Sequence, residues 1–360
     1  MQPQQPPARA VPESAETLRP TASAPGGANS VPGGDRPGSD EIDTARGSGT
    51  TTDTVPVVVG YSATVETGHD VPASSVGLEE RPAPEPVSDA EPLRSIDIAV
   101  VQFGPYTDKA ANLATLRGHI RAAADFGAKV VVAPEYSMFA VKRLDQRVVA
   151  AAEPITGAWV SELRGLAAEF GVHVVAGVVE SPGGPGADRI YNTLVAAAPD
   201  AEFAAIYRKV HLYDAFGFRE SEVVAPGPIE APATFAVDGV VFGLQTCFDL
   251  RFPEGCRRVA AAGAHVLLLP AQWIPGPGKV DQWTTLLRAR AIENTVYVAA
   301  ADHCAPRGAG ASMIIDPAGN LLAELGDSDG IATGRIDPDH LRQIRATNPS
   351  LSLRRFGIEP

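Results

Sequence analysis

LQTCFDLRFPE, Leu244–Glu254, is where an apolar run ends on a cysteine and a charged, proline-containing segment begins. Upstream, ATFAVDGVVFGLQT sets Asp238-Gly239 between two apolar runs, the strongest short signal for a tight β-hairpin. Downstream, RFPEGCRRVAAAG places Pro253 as a first-turn helix residue, and AHVLLLP then reads as a buried strand. Cys247 therefore sits at a strand-to-helix connection of a layered α/β arrangement. Whether it is a small packing residue or a nucleophile decides the functional reading.

The phrase "helix, glycine, buried strand" recurs on either side of this point. IDIAVVQF reads as a buried strand, followed by the helix TDKAANLATLRGHIRAAADFG, with Thr107 or Asp108 as its cap, Leu113, Leu116, Ile120 and Ala124 as its apolar stripe and Gly127 as its end. AKVVVAPE is the next strand. Trp159, Leu163, Leu166 and Phe170 keep helical spacing up to Gly171, and VHVVAGVVE follows as a strand. MIIDPAGNLLAEL adds a second hairpin. Buried parallel-type strands mixed with hairpins predict an α/β fold with mixed sheets. No glycine-rich phosphate cradle accompanies them.

Composition bounds the rest. The chain has 360 residues, 44% of them hydrophobic, enough for a substantial core. Residues 1 to about 94 differ from the remainder: they hold 14 of the 32 prolines and set 14 acids against 6 arginines and no lysine. This segment, rich in Gly, Ser and Thr, reads as a disordered acidic tail, because it has too little apolar surface to offset the entropy of ordering. VPVVVGY (Val55–Tyr61) is its exception, a candidate strand or docking segment. We place a single domain at 95–360. A net charge of −13 argues against nucleic acid or an anionic membrane as partner. With neither a signal peptide nor a long apolar run, the chain reads as cytoplasmic. Cys247, Cys256 and Cys304 are too scattered for a disulfide framework or a zinc site.

Three strands finish on reactive groups: AKVVVAPE on Glu135, EFAAIYRKVHL on Lys209 and VVFGLQTCF on Cys247. In layered α/β folds the carboxyl ends of core strands converge on a ligand-binding crevice. A thiol with an ordinary pKa of roughly 8.5 needs a base and a positive neighbour to attack an amide carbonyl. Glu135 would take its proton, and Lys209 with the backbone N–H of Phe248 would stabilise the oxyanion. Alone, each residue also has a plain structural reading, as a packed thiol, a strand-closing acid and a solvated edge charge. A Cys-His site using His211 or His265 fits less well, since His265 begins a strand and His211 lies two residues past Lys209.

Taken in order, VVVAPEYSM, YRKVHLYD and LQTCFDLRFPE resemble the signatures of the carbon–nitrogen hydrolase (nitrilase) superfamily, and RARAIENTVYVAAAD and GASMIIDPAGNLLAEL resemble its later blocks. The resemblance runs from about Ile96 to Phe356. It implies a four-layer αββα sandwich, a homodimer or higher homo-oligomer, a Glu-Lys-Cys triad of Glu135, Lys209 and Cys247, and no metal or organic cofactor. It also implies an auxiliary carboxylate, Glu220 ahead of its neighbour Glu222. His211, Asp249 and Arg251 would support the site, with a buried Asp249–Arg251 arrangement ordering the cysteine loop, while Cys256 and Cys304 pack. Cys-Phe-Asp-Leu-Arg-Phe-Pro is similar to amidase-type branches, whereas true nitrilases carry Cys-Trp-Glu there. The segment Asp302-His303-Cys304-Ala305 departs from the family's Asn-rich pattern, and AFGFRES is shorter than the omega-amidase insertion. The expected activity is hydrolysis of a small linear amide through a cysteine thioester. Nitrile hydrolysis, acyl transfer and non-catalytic ligand or partner binding stand as alternatives. Trp273 and Trp283 read equally as pocket lining or interface packing.

Overall fold

The computed structural model describes residues 57–59, 93–183 and 188–357. The expectation of a disordered tail, and the domain boundary drawn at its end, lie largely outside the described residues.

Both faces of the core strands are apolar, so each sheet must be covered twice. Along β2 (Ile96–Gln102) and into Phe103, residues Ala99, Val101 and Phe103 join one buried cluster with the helix residues Leu116, Ile120 and Leu163. The alternate residues Ile96, Ile98 and Val100 join another, shared with Phe242, Val266, Leu268 and Tyr297 of the second sheet. On that sheet Leu267 and Leu269 of β9 (Val266–Pro270) turn outward to meet Val259, Trp283 and Leu287. The result is the expected αββα sandwich of helix, sheet, sheet and helix.

One sheet has seven strands. Its centre is the parallel set β2, β3 (Val130–Val132) and β4 (His173–Glu180), continued antiparallel by β5 (Tyr191–Ala197) and β6 (Phe203–Arg208). The other has six, built on the parallel set β8 (Val240–Leu244), β9 and β10 (Tyr297–Ala301). The two expected hairpins flank that set. β7 (Thr234–Val237) reaches β8 through Asp238-Gly239, both at positive φ, and β11 (Met313–Ile315) reaches β12 (Leu321–Glu324) through a turn containing Gly319. β13 (Gly330–Ile336) pairs antiparallel with β2. Val57–Val59, within the segment singled out in the tail, forms β1 and runs parallel to β13 on its other side, with Val57 opposite Ile331.

Helices α1 (Lys109–Asp125), α2 (Gln146–Ala151) and α3 (Ala158–Phe170) contribute to the cluster over the first sheet, and α4 (Pro253–Ala261) and α5 (Lys279–Asn294) to the cluster over the second. Asp108 caps α1 by accepting from the N–H groups of Ala110 and Ala111. The buried face of α1 is more polar than its apolar pattern suggests: Asn112 and His119 are inside with Leu116 and Ile120, while Leu113 and Ala124 are only half-buried. Asn112 is satisfied by the backbone of Tyr106 and Met138. α6 (Pro338–Thr347) lays Leu341 against the inter-sheet cluster. Among the described residues no helix is long and apolar enough to cross a membrane.

The carboxyl ends of the two parallel sets come together. Phe103, just past β2, bridges to His303, just past β10. Where the chain turns after β3, Gly177 of β4 lies so close that a Cβ there would stand 2.4 Å from the Tyr136 nitrogen and 2.6 Å from the Glu135 Cα. Those neighbours are backbone and cannot swing aside. Gly177→Ala should therefore destabilise the fold by about 1–3 kcal/mol and push Glu135 out of place. A thermal melt within a degree of wild type would contradict this.

Candidate active site

Glu135 follows β3 by three residues, after Ala133-Pro134, and is almost fully buried. The next residue, Tyr136, has φ 55°, a conformation that turns the chain sharply away from the strand. Lys209 is the residue after β6, and its N–H bonds to the Asn192 carbonyl at 2.9 Å. Cys247 opens a short 3₁₀ turn, Cys247–Arg251, three residues beyond the end of β8. Its φ of 46° is left-handed, an arrangement that costs a non-glycine residue about 1–3 kcal/mol and persists only where the surroundings impose it. A reciprocal cap between Thr246 and Asp249 imposes it here, with the Thr246 hydroxyl also donating to Pro270 O at 2.8 Å.

These three elements bring Glu135, Lys209, Cys247 and Glu220 into one cluster. The Lys209 ammonium is 3.0 Å from Glu135 Oε1 and 2.9 Å from Glu220 Oε2, all three groups being at most 3% exposed. Asn192 Nδ2 donates to the same two carboxylates, at 2.7 Å to Glu135 and 3.2 Å to Glu220. Glu135 Oε2 accepts the Gln272 backbone N–H at 2.7 Å, and the Cys247 thiol donates to the carbonyl oxygen of the same Gln272 at 3.7 Å. Glu220 is fixed further by the Tyr136 hydroxyl at 2.9 Å and the Tyr213 N–H at 2.6 Å. Glu222, its neighbour, is exposed at the mouth of the cavity.

Electrostatics follow from this enclosure. Burial disfavours the Lys209 ammonium, but the Glu135 and Glu220 charges outweigh it and hold the group well above the usual lysine value. Burial, followed by the charge of Glu135, pushes the Cys247 thiol well above its ordinary range, and Lys209 offsets this only in part. The resting thiol therefore keeps its proton, beside a carboxylate whose charge opposes its loss. Burial and the Glu220 and Glu135 charges likewise hold the Tyr136 phenol protonated, as its donation to Glu220 requires.

Around this cluster the other candidates separate. Asp249 is fully buried and accepts from the His211 backbone N–H (3.1 Å), the Tyr207 hydroxyl (2.8 Å) and the Thr246 N–H (3.1 Å), with His211 Nδ1 at 2.7 Å. It thus ties the strand that delivers Lys209 to the turn that carries Cys247. The expected Asp249–Arg251 arrangement is not formed: Arg251 instead bonds Gln282 Oε1 at 2.7 Å and lies over the Trp273 ring, because Asp249 is already saturated by other donors. Phe248 packs edge-on to Tyr213. His211 is engaged with Asp249 and stacked on Phe252, and His265 accepts the Val241 N–H, so both rings are occupied away from a Cys-His pairing. Trp283 and Trp273 are packed indoles whose N–H groups bond to Ala311 O and Lys279 O. Cys256 is buried, whereas Cys304 is partly exposed.

Cys247, Glu135, Lys209 and Glu220 open into a cavity of about 740 Å³. Its rim carries Lys142, Arg143 and Arg219, none of which forms an ion pair among the described residues. On the other side of Cys247, Arg251 and Lys279 share a recess with Tyr213, Phe248 and Trp273. Burial and the Arg251 charge lower the Lys279 ammonium, and neither cation meets a carboxylate among the described residues.

Residues 97–346 match the carbon-nitrogen hydrolase family. The chain belongs to that family. A hydrolase of Mycobacterium tuberculosis is 40% identical over 264 residues, covering 69% of this chain and 91% of the relative. The deaminated glutathione amidase of Homo sapiens is 34% identical over 273 residues, 72% of this chain and 82% of the relative. An amidase from Nesterenkonia sp. AN1, a nitrilase-superfamily protein, superposes with a TM-score of 0.60 at 30% identity over 70% of this chain and 94% of that one. In that structure the acetamide moiety of fluoroacetamide is attached to the active-site cysteine. The expected membership is thereby established for this carbon-nitrogen hydrolase, together with its amidase-type kinship.

Tyr136, Asn192 and the Gln272 N–H escaped the sequence reading. Tyr136 adjoins Glu135 and carried a visible signal, whereas a backbone N–H carries none. Removing the central cation should be costly: Lys209→Met should lose about 3–5 kcal/mol of stability. The loss should be smaller at pH 5 than at pH 8, since a proton can then stand in for the missing ammonium between the carboxylates. Denaturant titrations at the two pH values check this, and an equal loss at both would refute it.

Proposed function

We propose that this carbon-nitrogen hydrolase is an amidase using Cys247 as nucleophile, Glu135 as general base and acid, Lys209 as oxyanion stabiliser and Glu220 as auxiliary carboxylate. The observation that carries the reading is the buried Lys209 ammonium held between Glu135 and Glu220, with the Cys247 thiol lining the same cavity. Because the thiol is held protonated, its deprotonation is coupled to attack: the proton moves to Glu135 as sulfur bonds to the amide carbon. Charge developing on the carbonyl oxygen meets Lys209 Nζ and the Phe248 N–H. Glu135 then returns the proton to the leaving nitrogen as the C–N bond breaks, leaving a thioester. It next takes a proton from the water that attacks this thioester, and the acid leaves as the thiol is restored.

The substrate class is read from the lining. A cavity of about 740 Å³ exceeds what a simple carboxamide fills, and outside the buried cluster five cations border it and its adjoining recess without carboxylate partners among the described residues, against two exposed acids, Asp214 and Glu222. We therefore assign an anionic, peptide-sized amide. The human relative's name, deaminated glutathione amidase, supports the same class. In keeping with the sequence reading, we take residues 95–360 as one catalytic domain behind an acidic tail, acting in the cytoplasm as a homodimer or higher oligomer.

Cys247→Ala should abolish ammonia release from glutaramate while the protein stays folded, and full turnover in that variant would remove the mechanism. Lys209→Gln, which keeps a hydrogen-bonding amide in place of the ammonium, should lower kcat by about 10²-fold or more. An unchanged kcat would reassign the lysine. Glutaramate and its neutral isostere pentanamide separate the substrate reading. Through charge recognition kcat/KM should favour glutaramate by about tenfold or more, and equal values would sink the anionic assignment. Hydroxamate formation when hydroxylamine is added at low concentration distinguishes acyl transfer from hydrolysis.

A further inference from the structure

Just past the end of β10 stand two residues that the proposed chemistry does not use, Asp302 and His303, both fully buried. The Asp302 carboxylate accepts three backbone N–H groups, from Trp273 at 2.7 Å, His303 at 2.8 Å and Ala309 at 2.9 Å. His303 Nε2 lies 2.7 Å from the backbone carbonyl oxygen of Glu135. A carbonyl only accepts, so Nε2 must carry the ring proton. The other nitrogen, Nδ1, is buried without a partner. Burial lowers this histidine to about 4, so the ring stays neutral while it donates. Space around it is tight, since a Cβ on Gly308 would fall 2.7 Å from the His303 Cβ.

The two residues converge on one group. Gln272, whose N–H holds Glu135 Oε2, immediately precedes Trp273, whose N–H is held by Asp302. His303 holds the main chain of Glu135 itself, at the corner where the following residue is left-handed. We propose that His303 and Asp302 are positioning residues for the base: one anchors the Glu135 backbone, the other anchors the loop whose N–H orients its carboxylate toward Cys247. This rests on the role proposed above for Glu135. A displacement of the order of 1 Å at a reacting group is enough to cost about 10²-fold in rate. A brace of this kind sets kcat without touching the substrate.

The test uses glutaramate with the full-length chain. His303→Leu removes the ring donor, and His303→Gln restores an N–H at comparable reach. Leu should lower kcat by about 10- to 100-fold with little change in KM, and Gln should recover most of it. Asp302→Asn keeps the oxygen that accepts the Trp273 N–H but turns an N–H toward the Ala309 N–H, which also donates to Trp273 O at 2.9 Å, so repulsion there loosens the Gln272–Trp273 segment. A carboxylate that loses a donor is easier to protonate, so in this variant the acidic limb of kcat/KM should move to higher pH. His303→Leu with wild-type kcat, or equal losses in Leu and Gln, would overturn the brace. If His303→Leu does not fold, an unmoved acidic limb in Asp302→Asn overturns it alone. Failure of the parent reading shows up separately, as turnover surviving in Cys247→Ala, whereas failure of the brace leaves that variant inactive.

Discussion

A lysine ammonium buried between two carboxylates is the constraint on which the rest depends. Taking charged groups out of water costs several kcal/mol per ion even after relaxation, and only close pairing with full hydrogen bonding offsets it. Lys209, Glu135 and Glu220 meet that demand with Asn192, Tyr136, the Gln272 N–H and the Tyr213 N–H as further donors. One acid more than the cation can balance remains in the cluster. The excess negative charge beside Cys247 keeps the thiol neutral at rest. A thiolate would have to form against both burial and that charge, so in the proposed mechanism sulfur is activated in concert with attack rather than beforehand.

The fold supplies this arrangement by placing two parallel strand sets face to face. Acid and thiol come from the carboxyl ends of opposite sheets, Glu135 after β3 and Cys247 after β8, while Lys209 arrives from β6 at the edge of the first sheet. Each sheet is packed on both sides, so these ends have little freedom. Asp249 links the lysine strand to the cysteine turn, and Phe103 pairs with His303 across the two sheets. The precision of the site is a property of the sandwich rather than of any single loop.

Legibility in the sequence follows from what interrupts an apolar run. Glu135, Lys209 and Cys247 stand out because each ends a strand that is otherwise hydrophobic, and Asp238-Gly239 and Gly171 mark turns by backbone chemistry. Asn192 carries no such contrast, since a polar residue at the start of an antiparallel strand reads as ordinary. The Gln272 N–H leaves no trace in side-chain pattern at all. Leu116 and Ile120 of the expected α1 stripe are buried, but Asn112, His119 and Ala123 join them in place of Leu113 and Ala124, because tertiary contacts that a helical period cannot register bury the two polar residues. The resemblance implies a buried Asp249–Arg251 arrangement, but a short 3₁₀ turn sends the two side chains to different neighbours.

The groups proposed for chemistry and those proposed for selectivity lie on different parts of the molecule, and their burial separates them. The former sit beyond strand ends, with Cys247 and Tyr136 held in left-handed conformations that only rigid surroundings maintain. The cations that border the cavity sit mainly on connections: Lys142 and Arg143 after β3, Arg219 between β6 and β7, Lys279 where α5 begins. Phe216, exposed and itself left-handed, lies 4.0 Å from the Lys279 ammonium on one of those connections. A substitution there changes which charge or shape the cavity accepts without disturbing the Glu135–Lys209–Glu220 cluster, because no hydrogen bond of that cluster is made by a rim side chain. On the proposed function, altering the rim would turn the same sandwich to other amides, while a change that unbalances the buried charges would alter stability and reactivity together.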